Sequence, residues 1–406
     1  MKKSPSFTLI EILIVLALIS ILAGILILTI KPQEIFKRAR DSKRISDLKN
    51  LEKALDSIYA STSTFSELTY ASPNTVYISL PDNNPNCSSW LSELPSLPSG
   101  WSYRCSATPT NIDGTGWIPI PFSNFPILNI SQLFIDPINK PPYYYSFVAG
   151  GSYAVYAELE NPKHPASKND GDNYPHLFSV GTNKRLIDQA QGLVGYWPFD
   201  EGSGTIAYDY SGNGNNGTLC NGSTCGVQGP TWTTGKVGGA LSFDGVDDYV
   251  NVGNNAILQV STDITVVAWV KFPTVSAVGI AVGKYGNSGE SGWILLHTSA
   301  GNFKFDGRDG SGSYRSSGPS QEIDDNQWHH VGGQRKGSIW KIFVDGVQAN
   351  SNNVVTSGSI AAALDNVYIG RYSLPGYIFN GLIDDVRIYN RALSDAEIKA
   401  LYDATK

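Results

Sequence analysis

Residues 7–30 form an apolar run of 24 residues interrupted by a single charge, Glu11. At ~1.5 Å rise per residue, a helix of that length reaches ~36 Å, against ~30 Å for the hydrocarbon core of a bilayer. The run therefore predicts one membrane-spanning helix. A carboxylate held in lipid costs on the order of 3 kcal/mol even on lenient insertion scales, so Glu11 is expected to have both a partner and a purpose. Ahead of the run stand Met1-Lys2-Lys3-Ser4-Pro5-Ser6, too few residues for a secretory signal with its own hydrophobic stretch and cleavage region.

The segment Ser6-Phe7-Thr8-Leu9-Ile10-Glu11-Ile12-Leu13-Ile14-Val15 resembles the class III signal of type IV prepilins and type II secretion pseudopilins. The resemblance implies cutting between Ser6 and Phe7 by a prepilin peptidase, and methylation of the new Phe7 amine. It also implies an assembly role for Glu11, whose carboxylate would neutralise the terminal amine of a neighbouring pilin or pseudopilin subunit. Ser6 departs from the glycine that this family usually has before the cut, but it keeps a small residue there. The competing reading of these residues is an ordinary signal anchor with an unrelated Glu.

Net charge is −6 and only 16% of residues are charged, so the chain is not expected to bind nucleic acid. Gly 41, Tyr 21 and Trp 9 against one Met describe a β-rich, turn-rich protein outside the cytoplasm. The cysteines fall into two local pairs, Cys87/Cys105 and Cys220/Cys225, without zinc-ligand spacing. Two disulfides are expected in an oxidising compartment, with free buried thiols as the alternative. One signal points elsewhere. Lys31, Lys37, Arg38, Arg40, Lys43 and Arg44 follow the apolar run, which by charge counting alone would keep the large C-terminal part in the cytoplasm. The pilin resemblance implies the reverse: a single-pass protein of the inner or cytoplasmic membrane with its C-terminal part outside, later built into a surface pilus or pseudopilus.

Beyond Pro32, apolar residues Ile35, Phe36, Ala39, Leu48, Leu51, Leu55 and Ile58 recur mostly at spacings of three or four, the pattern of an amphipathic helix. Pro32 should kink the helix or begin a new one. Residues 1–6 are read as leader, 7–60 as stem and 61–190 as a pilin-like head. Within the head, Tyr143–Phe147 and Tyr153–Leu159 are strand-like, and Asp136-Pro137-Ile138-Asn139 resembles the strand region of major pseudopilins. The turn Asp170-Gly171-Asp172-Asn173 sits where some pseudopilins bind calcium, although an ordinary tight turn is the simpler account.

From 191 to 406 short strands alternate with Gly, Asn and Asp turns, as in an all-β sandwich. Four segments carry a resemblance to the laminin-G-like, concanavalin-A-like jelly roll: Gly195–Gly204, Leu241–Val250, Trp328–Val331 and Gly381–Ser394. Ser394 and Glu397 form a capping-box pattern that predicts a closing helix from Asp395 to Tyr402. The expected fold class is thus an α+β pilin-like stem and head followed by an all-β antiparallel jelly roll.

Strict alternation along the last strand would put Leu382, Asp384, Val386 and Ile388 on one face, with Asp385 and Arg387 on the other. A carboxylate on an apolar face calls for compensation. Asp384 with Asp200, and with further oxygens from Asp244 and Asp247, offers the hard donors calcium prefers; the jelly-roll resemblance likewise implies structural calcium in many members. A salt bridge or a sheet-rim position for Asp384 is the competing reading. Asp247-Asp248 also resembles the calcium loop of pentraxins, but Arg371-Tyr372-Ser373 stands near where facing acids would be.

Catalysis is not expected. The alternating acidic strand of glycanases is absent, with Glu322-Ile323-Asp324-Asp325 the nearest approach, and adjacent His329 and His330 should face opposite ways. Trp232, Trp293 and Trp340 could stack on sugar rings, against a default of core packing. The expected function is a minor or tip pilin-like subunit displaying a lectin-like domain that binds a glycan or surface protein. A pseudopilus scaffold in a secretion system and a glycan-processing enzyme are the alternatives. Sequencing the mature amino terminus should return N-methylated phenylalanine from Phe7; recovery of Met1 in filament-associated protein would contradict the leader assignment.

Overall fold

The computed structural model describes residues 8–406 apart from 31, 62–70, 73, 99, 126–127, 129, 150–151, 169, 171–172, 175, 228, 275–276, 287–290, 354–358, 362 and 373–375; the side chains of 21–30, 32, 59–61, 168, 185, 189 and 353 are also left aside. Ser6 and Phe7, the expected cleavage site, and Gly171-Asp172 of the head turn lie outside the described residues.

Helix α1 runs Leu9–Ile30 and helix α2 runs Pro32–Ser61. Pro32 opens α2 at its first position, where a missing N–H needs no partner and the fixed φ suits a helix. The 22 residues of α1 correspond to ~33 Å. Among the described residues no helix is long and apolar enough to cross a membrane; the described side chains of α1 end at Ser20.

The apolar stripe of α2 divides by position. Leu48, Leu51, Ala54, Leu55 and Ile58 are buried in the head, whereas Ile35 and Phe36 remain 52% and 62% exposed. The head is a five-stranded sheet in the order Ser102–Ser106, Thr75–Pro81, Tyr145–Ala149, Tyr153–Glu158, Leu177–Val180. Alternation gives the sheet two working faces. Tyr145, Phe147, Tyr153, Val155 and Phe178 pack on α2, and Tyr144, Val148, Ala154, Tyr156 and Leu177 face the sandwich.

Two of the basic residues after the apolar run, Arg40 and Arg44, join α2 to the head. Arg44 is fully buried and donates to Asp136 at 2.6 and 3.1 Å, and to Asp41 and Glu160 at 2.8 Å each. Arg40 makes a two-pronged pair with Glu160, 2.6 Å on each arm. Asp41 in turn accepts the backbone N–H groups of Glu160 and Asn161. Further along α2, Asp47 accepts from the Tyr145 hydroxyl and Asp56 from that of Tyr153.

The sandwich stacks two antiparallel sheets. We call the one nearer the head the inner sheet: Thr231–Thr234, Gly239–Asp244, Asn380–Tyr389, Ile264–Lys271, His329–Lys336, Ile339–Val344, Val347–Asn353, with Leu193–Trp197 added on Asn380–Tyr389. The outer sheet runs Tyr314–Ser316, Phe303–Arg308, Gly292–His297, Gly279–Tyr285, Val367–Ile369, Asp248–Gly253, Gly217–Asn221, Ile206–Ala207, with Thr224–Cys225 beside Gly217–Asn221. Between them lies one apolar core that includes Trp197, Phe243, Val266, Trp293, Phe305, Trp340 and Ile388.

A second core spans head and sandwich. Val76, Tyr103, Tyr144 and Tyr156 of the head pack with Val267, Phe343, Tyr389, Leu393, Ile398 and Leu401 of the sandwich and its C-terminal helix, Asp395–Thr405. That helix carries the expected capping box, with Ser394 and Glu397 bonded reciprocally. Arg391 grips Glu397 at 2.6 Å and donates to the Gln191 backbone carbonyl, also at 2.6 Å. Both disulfides, Cys87–Cys105 and Cys220–Cys225, are formed.

Removing one partner of a buried ion cluster leaves the others charged and unpaired, at a cost of about 3–5 kcal/mol. Arg44→Ala should therefore lower the unfolding free energy of the head by that order in a denaturant titration. A loss below about 1 kcal/mol would show that the cluster does not hold α2 in place.

Candidate functional site

At the amino end, Thr8 and Glu11 cap α1. The Thr8 N–H and hydroxyl both donate to Glu11 Oε2 at 2.8 Å, and the Glu11 N–H approaches Thr8 Oγ1 at 3.4 Å. The sequence pattern Thr-x-x-Glu is a capping box, the same arrangement found at Ser394. In the single chain, the carboxylate expected to meet a neighbour's amine is thus already held by its own helix end.

The last strand corrects the alternation argument. Trp269 pairs with Asp384 while Val267 pairs with Arg387, so three steps on one strand match two on the other. Asp385, at φ +51°, takes up the extra residue as a bulge. The bulge reverses the faces on its two sides. Ile383, Val386 and Ile388 enter the sandwich core, whereas Asp384 points out beside Trp269, on the side of Leu382. Asp384 does not share the apolar face with Val386 and Ile388.

Asp384 is nonetheless fully buried. Its Oδ2 accepts the N–H groups of Lys236 and Val237 at 2.8 Å each, while Oδ1 has no hydrogen-bond partner among the described residues. Asp200 accepts the Gly239 N–H at 2.7 Å. The turn from Gly235 to Gly239 fits between the two carboxylates with no room to spare: a Cβ on Gly238, at φ +71°, would lie 2.2 Å from Asp200 Oδ1, and one on Gly235 would lie 2.6 Å from Asp384 Oδ2. Burial, then the charges of Asp385 and Asp200, push the Asp384 carboxyl from 3.8 up to about 8. A buried carboxylate oxygen without a donor, beside a second carboxylate, fits an oxygen-seeking cation such as calcium.

Asp244 and Asp247 sit elsewhere. Asp244 pairs with Asn380, four residues along the strand from Asp384, or about 13 Å away. One ion cannot bridge the two places. Asp244, Asp247 and Asp248 bring carboxylate oxygens within 4.8 Å of one another. Much of that capacity serves the turn itself, since Asp244 accepts from Val246 and Asp247, and Asp248 accepts from the Asp244 N–H. Burial and the neighbouring Asp244 raise Asp248 to about 6.

His329 and His330 do face apart. His329 lies 2.9 Å from Asp345 and 3.2 Å from Asp325, and the hydrogen bond to Asp345 raises its pKa. His330 is buried against Trp269, ring centroids 5.4 Å apart, and burial lowers it to about 4.

Of the three candidate sugar-stacking tryptophans, Trp293 and Trp340 are each 1% exposed inside the sandwich core and have no free face. Trp232 packs edge-on to Phe199, 6.5 Å between centroids. The aromatic surface lies on the outer sheet, on the side away from the core, and it is made of tyrosine. Tyr314 and Tyr377 are exposed there, around a small apolar cluster of Ile280, Tyr285, Ile294, Leu296 and Tyr372. Tyr285 and Tyr372 meet edge to face at 5.8 Å, and Tyr372 and Tyr377 lie 5.3 Å apart. Tyr285, Tyr314 and the Tyr372/Tyr377 pair gave no local signal, because the fold assembles them from three distant segments.

Two family models match the chain: the prokaryotic N-terminal methylation motif over residues 1–27, and the concanavalin A-like lectin/glucanases superfamily over residues 244–399. The chain joins a prepilin-type amino terminus to a laminin-G-like sandwich. Similar solved structures include domain 4 of a GH43 extracellular arabinanase from Geobacillus stearothermophilus in complex with arabinotriose, 21% identical, TM-score 0.43, covering 52% of this chain and 98% of that one. Another is the binding domain of Paraclostridial Mosquitocidal Protein 1, 17% identical, TM-score 0.42, covering 52% of each chain. No curated protein matches the chain.

A carboxyl raised on folding stabilises the fold below its unfolded pKa, and that stability is lost as pH climbs through the folded value. Asp384 should therefore make the chelator-treated protein less stable as pH rises from about 4 to about 8. Asp384→Asn should flatten that slope, and calcium should raise the melting temperature of the native protein most at pH 8. A melting curve unmoved by calcium at pH 8 would rule the cation out.

Proposed function

We propose that this protein is a minor or tip subunit of a type IV pilus or pseudopilus, displaying a ligand-binding sandwich outside the cell. What supports this reading is that α2, head sheet and sandwich are joined through continuous cores, so whatever fixes α2 also orients the sandwich. A prepilin peptidase cuts before Phe7 and α1 anchors the chain in the cytoplasmic membrane until assembly. On assembly, Glu11 exchanges its bonds to Thr8 for the amine of an adjoining pilin subunit. A domain of some two hundred residues on every subunit would crowd a tightly packed filament, which favours a rare or terminal position.

The inner sheet's far side is occupied by the head and the C-terminal helix, leaving the tyrosine-lined side of the outer sheet as the surface offered to a glycan or surface protein. Calcium at Asp384 has a structural part, pinning the Gly235–Gly239 turn to the last strand. The sandwich binds and does not catalyse. Glu11→Ala tests the assembly step. The variant should remain in the membrane fraction and disappear from sheared filaments, whereas incorporation at the native level would defeat the proposal.

A further inference from the structure

We infer that Arg371 makes the tyrosine-lined side of the outer sheet a receptor for carboxylate-bearing polysaccharides. This rests on the ligand-binding reading above and narrows it to a substrate class. Arg371 follows the strand Val367–Ile369, and three contacts hold its guanidinium. Its Cζ stands 4.0 Å from the centre of the Tyr249 ring and 5.1 Å from that of Tyr368, and its Nε donates to the Tyr372 carbonyl at 3.0 Å. The two rings meet edge to face at 5.8 Å, forming a corner in which the cation rests.

Such a guanidinium is oriented before any ligand arrives, and its planar fork matches a carboxylate. Elsewhere in the chain Arg40, Arg44, Arg315, Arg387 and Arg391 each meet a carboxylate of the protein itself. Arg371 is half-buried, and among the described residues its two terminal nitrogens make no hydrogen bond or ion pair. The protein supplies the geometry of a carboxylate site without the carboxylate.

The surroundings choose the rest of the ligand. Tyr377, 40% exposed, continues from Tyr372 and offers a ring face with a polar tip, the amphipathic surface on which a sugar ring rests. A further cation, Lys304, lies on the same side of the sheet, three strands from Val367–Ile369, or about 14 Å across the strands. An acid repeated along a polymer matches that spacing better than a single small anion.

The test uses the full-length protein in detergent against polygalacturonate, its methyl ester, poly-L-glutamate and a panel of neutral glycans. The native protein should bind polygalacturonate in a salt-sensitive manner, and at least about ten-fold more tightly than the methyl ester or poly-L-glutamate. Arg371→Gln should lose roughly ten-fold in affinity for polygalacturonate with its melting temperature unchanged. Arg371→Lys, which keeps the charge over Tyr249 but not the fork, should also weaken binding and serves as the second variant should the Gln form not fold. Equal binding of acid and ester, or native affinity in both variants, overturns the Arg371 site while leaving the broader glycan reading intact. Equal binding of poly-L-glutamate would overturn the sugar class in favour of an acidic protein surface. Silence toward every glycan, acidic and neutral, would remove the broader reading together with this one.

Discussion

The buried guanidinium of Arg44 is the constraint on which the rest of the molecule hangs. It sits where the stem leaves its exposed first turns and enters the head, enclosed by Asp136 from the head loop, Asp41 from its own helix and Glu160 from beyond the strand Tyr153–Glu158. A buried ion cluster is weak evidence of net stability, because desolvation offsets much of its attraction. Its value here is positional. Greasy contacts between α2 and the sheet would tolerate a slide by one helical turn, whereas a two-pronged Arg–Asp bond would not. The cluster also accounts for two of the basic residues after the apolar run. Arg40 and Arg44 are spent on carboxylates of the same chain, so they report on how the stem docks rather than on which side of a membrane it faces.

From that anchor, rigidity passes outward through alternating side chains. Each head strand sends one set of residues to α2 and the other to the sandwich, so a single sheet serves as the shared wall of two cores. Arg391, bonded to both Glu397 and Gln191, ties the start of the C-terminal helix to the segment leading into the sandwich. The jelly roll is therefore not a bead on a flexible tether. Its inner sheet is committed to the head, and that commitment turns the outer sheet toward the surroundings.

The bulge at Asp385 shows how one residue redirects chemistry. Without it, Asp384 would project into the apolar interior, where neither water nor backbone N–H groups could reach it. With it, the carboxylate meets the turn Gly235–Gly239, gains two backbone donors and keeps one oxygen unmatched. Period-two reasoning places side chains correctly only while the ladder is unbroken. The same limit separated Asp244 and Asp247 from Asp200 and Asp384, which a list of acids along the chain cannot do.

The sequence by itself determined the features written in short-range pattern. These are the apolar run with its lone Glu11, the helix restart at Pro32, the capped C-terminal helix and both cysteine pairings. Each depends on residues a few positions apart, or on segments whose motifs are contiguous. Only the tertiary structure decided which tryptophans are core, that Arg44 belongs to Asp136, that Asp385 forms a bulge, and that Tyr249, Tyr368 and Arg371 form one corner. Those outcomes rest on contacts between segments separated by tens to more than a hundred residues. Hydrophobic periodicity can say that a strand has two faces, but sheet order and register determine what each face meets.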